Sequence, residues 1–135
     1  MKSINPNPDT IGQVLAGIPQ DKPVVMLNLL KFAEQADYPQ DYNGENSQCS
    51  GRQAYERYMA NIGPLLVAVG GELVFLGAAV GGIIIPDGEA WDKVLLVRYP
   101  SISAFHDMLK NPDYQAETVH RTAALDDSRL VAMIE

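Results

Sequence analysis

The chain has 135 residues, enough for one domain with its own hydrophobic core and no covalent staples. Its 47% hydrophobic and 20% charged content is that of a folded globular protein. A formal charge of -7 works against nucleic acid or an anionic membrane as partner, since both would be repelled. The lone Cys49 rules out an intrachain disulfide and lends no support to an oxidising compartment, so the expected location is the cytoplasm. No segment has the pattern of a signal peptide or a membrane span.

Taken in chain order, residues 1–22 read as an N-terminal extension, with Asp9 or Thr10 capping a short helix over Ile11–Ala16 that Gly17 and Pro19 stop. Residues 23–135 read as one domain. Val24–Phe32 is apolar and β-branched on both faces, the pattern of a strand covered on two sides, and it buries the amide of Asn28. Ala33–Ser50 is polar and long for a loop, which predicts a mobile lid. Ser50 and Gln53 have capping-box spacing, and the apolar residues from Tyr55 to Val69 recur at helical intervals. Pro64 predicts a bend in that helix, and Gly70-Gly71 its end.

Glu72–Ile85 reads as a strand bulged at Gly77, Gly81 and Gly82, turned at Pro86-Asp87-Gly88 and paired with a second strand over Trp91–Tyr99. Ser101 then caps a helix whose stripe is Ile102, Phe105 and Leu109. Asn111-Pro112 starts another that reaches about Leu125. Leu130–Ile134 is the last strand. Strand, helix, strand, strand, helix, strand is the ferredoxin-like α+β order, βαββαβ with an antiparallel sheet. Helices cover one face of such a sheet only. Strands apolar on both faces therefore predict a second copy on the other, a homodimer built as a dimeric α+β barrel.

Chemistry-bearing residues concentrate near the end of the chain. Tyr114 and Arg121 are seven positions apart and lie within about 20° of each other on a helix. The guanidinium suits a carboxylate or enolate, and the phenol suits proton transfer. The competing role is structural, with Arg121 paired to Asp126 or Asp127. His120 points about 100° away from Arg121; it is either a base whose tautomer Asp126 or Asp127 fixes, or a surface or capping residue. Asn28 is a buried amide that needs partners, from a ligand or a backbone edge, while Tyr58 and Trp91 suit the core. No residue cluster has metal-ligand spacing, and no cofactor motif appears. The site expected is catalytic His120 and Tyr114, with Arg121, Asn28, Tyr58, Trp91 and Arg98 binding a small-molecule ligand.

Leu27-Asn28-Leu29-Leu30-Lys31-Phe32, Gly51-Arg52-Gln53-Ala54-Tyr55, Asn111-Pro112-Asp113-Tyr114-Gln115 and His120-Arg121-Thr122-Ala123-Ala124-Leu125 resemble the family called domain of unknown function 1330. The resemblance runs from about Pro23 to Ile134. It implies the dimeric α+β barrel superfamily, which includes cofactor-independent oxygenases, isomerases and haem-degrading enzymes; in those oxygenases Asn, Trp, Tyr and Arg together polarise an aromatic substrate, and Asn28, Trp91, Tyr58 and Arg98 supply these types. The resemblance thus suggests an oxygenase- or isomerase-like enzyme acting on a small, partly apolar anion or carbonyl compound. The alternatives are a non-catalytic sensing module and, third, a haem protein using His106, Asn28 and Trp91. In that third case Trp91 falls on a strand where the relatives' tryptophan does not.

Overall fold

The computed structural model describes residues 1–135. Its order is α1 (Pro8–Gly17), β1 (Val24–Phe32), α2 (Gly51–Ala68), β2 (Glu72–Ala78), β3 (Lys93–Tyr99), α3 (Ile102–Lys110), α4 (Pro112–Ala124) and β4 (Leu125–Met133). The four strands form one antiparallel sheet in the order β2-β3-β1-β4, the ferredoxin-like arrangement. Val24, Met26 and Leu30 of β1 and Leu95 and Tyr99 of β3 point to the helix side, where they meet Tyr55, Tyr58, Ile62, Phe105 and Met108 in the core. On the opposite side Val25, Leu27, Leu29, Val94, Leu96, Phe75 and Val131 are half-buried or exposed, and no helix of the core packs there.

The helix starts follow from local chemistry. Ser50 accepts from the Gln53 N–H while the Gln53 side chain accepts from the Ser50 N–H, a full capping box. Gly51 sits so close to the carbonyls of Ala33 and Ala124 that a Cβ there would collide with both. This pins the start of α2 between the end of β1 and the end of α4. Gly70, with φ of 80°, closes the helix in the left-handed region. Asn7, rather than Asp9 or Thr10, caps α1, which therefore begins earlier than expected, with Pro8 in its first turn.

The strand ends differ from the sequence reading, and β3 begins at Lys93, which leaves Trp91 outside it. β2 ends at Ala78, and its register shift lies between Leu73 and Phe75, not at the glycines. Residues 79–92 form an irregular arm in which Val80, Ile83 and Ile84 are at least 94% exposed. β4 starts at Leu125, directly after α4, so Asp126 and Asp127 are strand residues. Asp127 joins the sheet opposite Lys31, and Asp126 is the bulged residue between that pair and Phe32–Leu125. In α3 the third buried position is Met108, one before Leu109.

The 33–50 loop is anchored. The Ala33 and Asp37 N–H groups donate to the carbonyls of Ala124 and Ala123 at 2.8 and 2.9 Å, the Ala36 N–H donates to the Cys49 carbonyl at 2.9 Å, and Ala36 is buried. The anchors are main-chain groups, which the polar composition that suggested mobility does not reveal. The N-terminal segment is also held: the Ser3 N–H donates to Asp127 Oδ1, Ser128 Oγ donates to the Ser3 carbonyl, and Lys2 pairs with Asp126.

Candidate functional site

Tyrosines of the 33–50 loop, α2 and α4, with one histidine of α4, hold the polar chemistry on the helix side of the sheet. Asn111 caps α4 by accepting from the Asp113 N–H, which sets the phase of the helix. Tyr114, His120, Ala123 and Ala124 then face inward. His120 is only 7% exposed, so it is not the surface or capping residue that its sequence position favoured. Its Nδ1 lies 2.7 Å from the Tyr38 hydroxyl, and Arg57 Nη1 donates to that same hydroxyl at 2.8 Å. With Arg57 donating to its oxygen, the phenol directs its own proton at Nδ1. His120 then carries its proton on Nε2, 3.4 Å from Glu117. Asn61 donates to the same carboxylate at 2.8 Å.

The result is a chain Arg57–Tyr38–His120–Glu117. Burial, reinforced by the Arg57 charge, lowers the His120 pKa below its ordinary 6.5 and outweighs the opposing pull of Glu117. Burial raises the pKa of Tyr38, against the lowering effect of Arg57. Both partners are neutral near pH 7, and each ion that proton transfer would create already faces an opposite charge. Tyr42 stacks on Tyr38 with ring centroids 4.5 Å apart. Both rings line a polar recess of about 330 Å³ with Gln35, Asp37, Gln40 and Ser47. The loop is held over Arg57 by the Asn46 carbonyl, which accepts at 3.1 Å and belongs to a residue with φ of 61°.

The other predicted residues do not converge here. Tyr114 is buried and its hydroxyl is 2.7 Å from that of Tyr58, a paired set of phenols inside the core. Arg121 does not pair with Asp126 or Asp127; its Nη1 donates to the Ile4 carbonyl at 2.6 Å. Asp126 is engaged by Lys2 and Lys31, and Asp127 by Ser3, Ser128 and Arg129, so neither orients His120. Arg121 lies near Tyr55, whose phenol burial pushes up to about 12 although the guanidinium opposes it. Burial likewise holds Tyr58 well above 10, with the neighbouring phenols adding to it.

Asn28 lies on the helix side of β1 and donates to the Met26 carbonyl at 3.2 Å. Arg98 is exposed on the opposite side, 4.0 Å from Glu72. Trp91 also lies apart from the helix layer, with Arg129 over its ring at 5.0 Å and its Nε1–H toward Glu89 at 3.3 Å. A single ligand cannot touch Asn28, Tyr58, Trp91 and Arg98 together, because the sheet separates them. The haem set is likewise spread out: His106 is exposed on α3, Asn28 lies on β1, and Trp91 lies under Arg129.

Sequence reasoning missed Tyr38, Arg57 and Glu117. Glu117 carried a signal, being one helical turn before His120 on α4. Tyr38 carried none, because a loop residue's partner is set by how the loop folds.

The family model described as Domain of unknown function (DUF1330) matches residues 44–134. Among solved structures the chain is similar to the RPA0582 protein of unknown function from Rhodopseudomonas palustris, with 32% identity, a TM-score of 0.89, and coverage of 100% of this chain and 98% of that one. It is similar in fold to a hydroxynitrile lyase from Passiflora edulis, at 11% identity, TM-score 0.55, and 85% and 94% coverage. The same holds for a dimeric protein of unknown function with a ferredoxin-like fold from Bacteroides fragilis, at 13% identity, TM-score 0.51, and 87% and 100% coverage. No curated protein matches the chain in sequence.

Proposed function

The chain belongs to the DUF1330 family, and from that premise we propose that it is a homodimeric, cofactor-independent enzyme that moves a proton on a small carbonyl or anionic compound. The observation that carries this is the Arg57–Tyr38–His120–Glu117 chain opening on a polar recess. The substrate sits in the recess against Tyr38. The Tyr38 proton passes to His120 Nδ1 as the phenolic oxygen takes a proton from the substrate carbon beside its carbonyl. Arg57 stabilises the oxygen while it bears negative charge, and Glu117 stabilises the imidazolium. An enolate is left on the substrate, and reversal of the two transfers returns a proton to the same carbon or to a neighbouring one, as an isomerase requires.

The dimer part of the reading rests on the apolar outer sheet face and on the arm bearing Val80, Ile83 and Ile84. A second copy of the chain is the occupant favoured, since the fold relative from Bacteroides fragilis is a dimer. The test of the chemistry is exchange of substrate C–H for deuterium in heavy water, followed by proton NMR for small keto acids and 1,3-diketones. Wild type should accelerate exchange for at least one compound, and Tyr38→Phe and His120→Gln should each remove most of that acceleration. No acceleration across the panel, or equal rates in wild type and both variants, would refute it.

A further inference from the structure

A second recess, of about 170 Å³, lies between α2 and the sheet and shares no residue with the Tyr38 recess. Its walls are Phe32 at the end of β1, Tyr55 and Met59 of α2, Leu76 of β2 and Leu95 of β3. Two cations, Arg52 and Lys93, stand among these apolar groups. Arg52 lies over the Phe32 ring with 4.8 Å between the guanidinium carbon and the ring centroid. Seven ion pairs occur in the protein, and neither Arg52 nor Lys93 takes part in any of them. Glu56, also at the recess, is not within ion-pair distance of either.

Two cations without a carboxylate partner thus stand beside one apolar recess, on a chain whose net charge is -7. The cation–π contact with Phe32 keeps the Arg52 donors near the rim, which lowers the ordering cost of binding a carboxylate. Ligand pockets usually run to about 300–1,000 Å³, so this volume admits only a single ring or a short branched chain. We infer that the recess is a binding site for a small monocarboxylate with a compact apolar body. The apolar part lies against Met59, Leu76 and Leu95, and the carboxylate faces Arg52 and Lys93.

The inference does not depend on the proton-transfer reading, and benzoate tests it separately. Titration of the full-length protein with benzoate, followed by 1H–13C NMR of its methyl groups, should shift Met59 and Leu76 and leave Leu109 and Val80 unmoved. Benzamide, which has the same ring without the charge, should bind at least ten-fold more weakly. Arg52→Gln and Lys93→Gln should each weaken benzoate about ten-fold, and Tyr38→Phe and His120→Gln should leave its affinity unchanged. Absence of benzoate shifts at Met59 and Leu76 in the wild type, equal affinity for benzamide, or a loss in His120→Gln as large as in Arg52→Gln would each overturn the assignment. Because both charge variants alter exposed or half-exposed side chains, their folding is checked by retained methyl dispersion. Should either fail to fold, the benzamide comparison in the wild type decides alone.

Discussion

Replacing Tyr58 or Tyr114 by phenylalanine should destabilise the protein by more than the hydrogen bond between them is worth. The two hydroxyls are 2.7 Å apart, and the residues are 5% and 8% exposed, so water cannot replace a lost partner. Deleting one hydroxyl leaves the other buried and unsatisfied, at about 1–3 kcal/mol. Deleting both removes the pair and its desolvation together, and should cost only about 0.5–1.5 kcal/mol. The double variant is then no less stable than the worse single one, although simple addition would predict about 2–6 kcal/mol. Equilibrium urea unfolding of the four proteins at one fixed concentration measures this, fixed because an oligomer's apparent stability depends on it. Additive losses, or single variants within 0.5 kcal/mol of wild type (about the usual scatter for surface changes), would mean that the two phenols are not coupled and that Tyr114 is free for other chemistry.

Acidification should weaken the fold through His120. Its folded pKa lies below 6.5, so the unfolded chain binds more protons as pH falls through 6.5; stability drops from there down to the folded pKa and then levels off, and His120→Gln should flatten that part of the profile. Ser50→Ala removes the capping box at the start of α2 and should cost about 1 kcal/mol by thermal denaturation; a loss near zero would show that tertiary contacts alone hold that turn. In amide exchange, Ala33, Ala36 and Asp37 should be as protected as β1, with the loop tip over Gln40–Asn46 exchanging faster; uniform fast exchange over the loop would contradict its anchoring. Sedimentation at micromolar concentration should give twice the chain mass, and a monomer there would contradict the proposed pairing of sheet faces.

Periodicity and capping chemistry carried the fold. The run Val24–Phe32, the Ser50–Gln53 box and Asn111-Pro112 are local signals whose physics acts within a few residues, and each element they announce is present. Boundaries failed where neighbours decide. Asp126 and Asp127 look like loop residues, yet β1 supplies a partner strand that draws them into the sheet. The site was half legible. His120 could be singled out, but its partners come from a loop and from another helix, and Arg57 and Tyr38 meet it only after Ala36 packs down and Asn46 turns. Matching residue types, as with Asn28, Trp91 and Arg98, had no such constraint, and the sheet lies between them.

The passage from α4 into β4 has no connecting residue: Ala124 ends the helix and Leu125 opens the strand. A loop would absorb a change in chain length, and here the one irregularity is the bulge at Asp126, between the Phe32–Leu125 and Lys31–Asp127 pairs. One residue inserted between His120 and Ser128, unless it widened that bulge, would either turn the imidazole by about 100° around the helix axis or invert every later side chain through the sheet. The first outcome breaks the contact with Tyr38, and the second exposes Ser128 and buries Asp127 or Arg129. Length between these two positions is therefore as tightly held as residue identity, and natural variation in this segment should consist of substitutions, with insertions and deletions confined to the 79–92 arm and the loop tip.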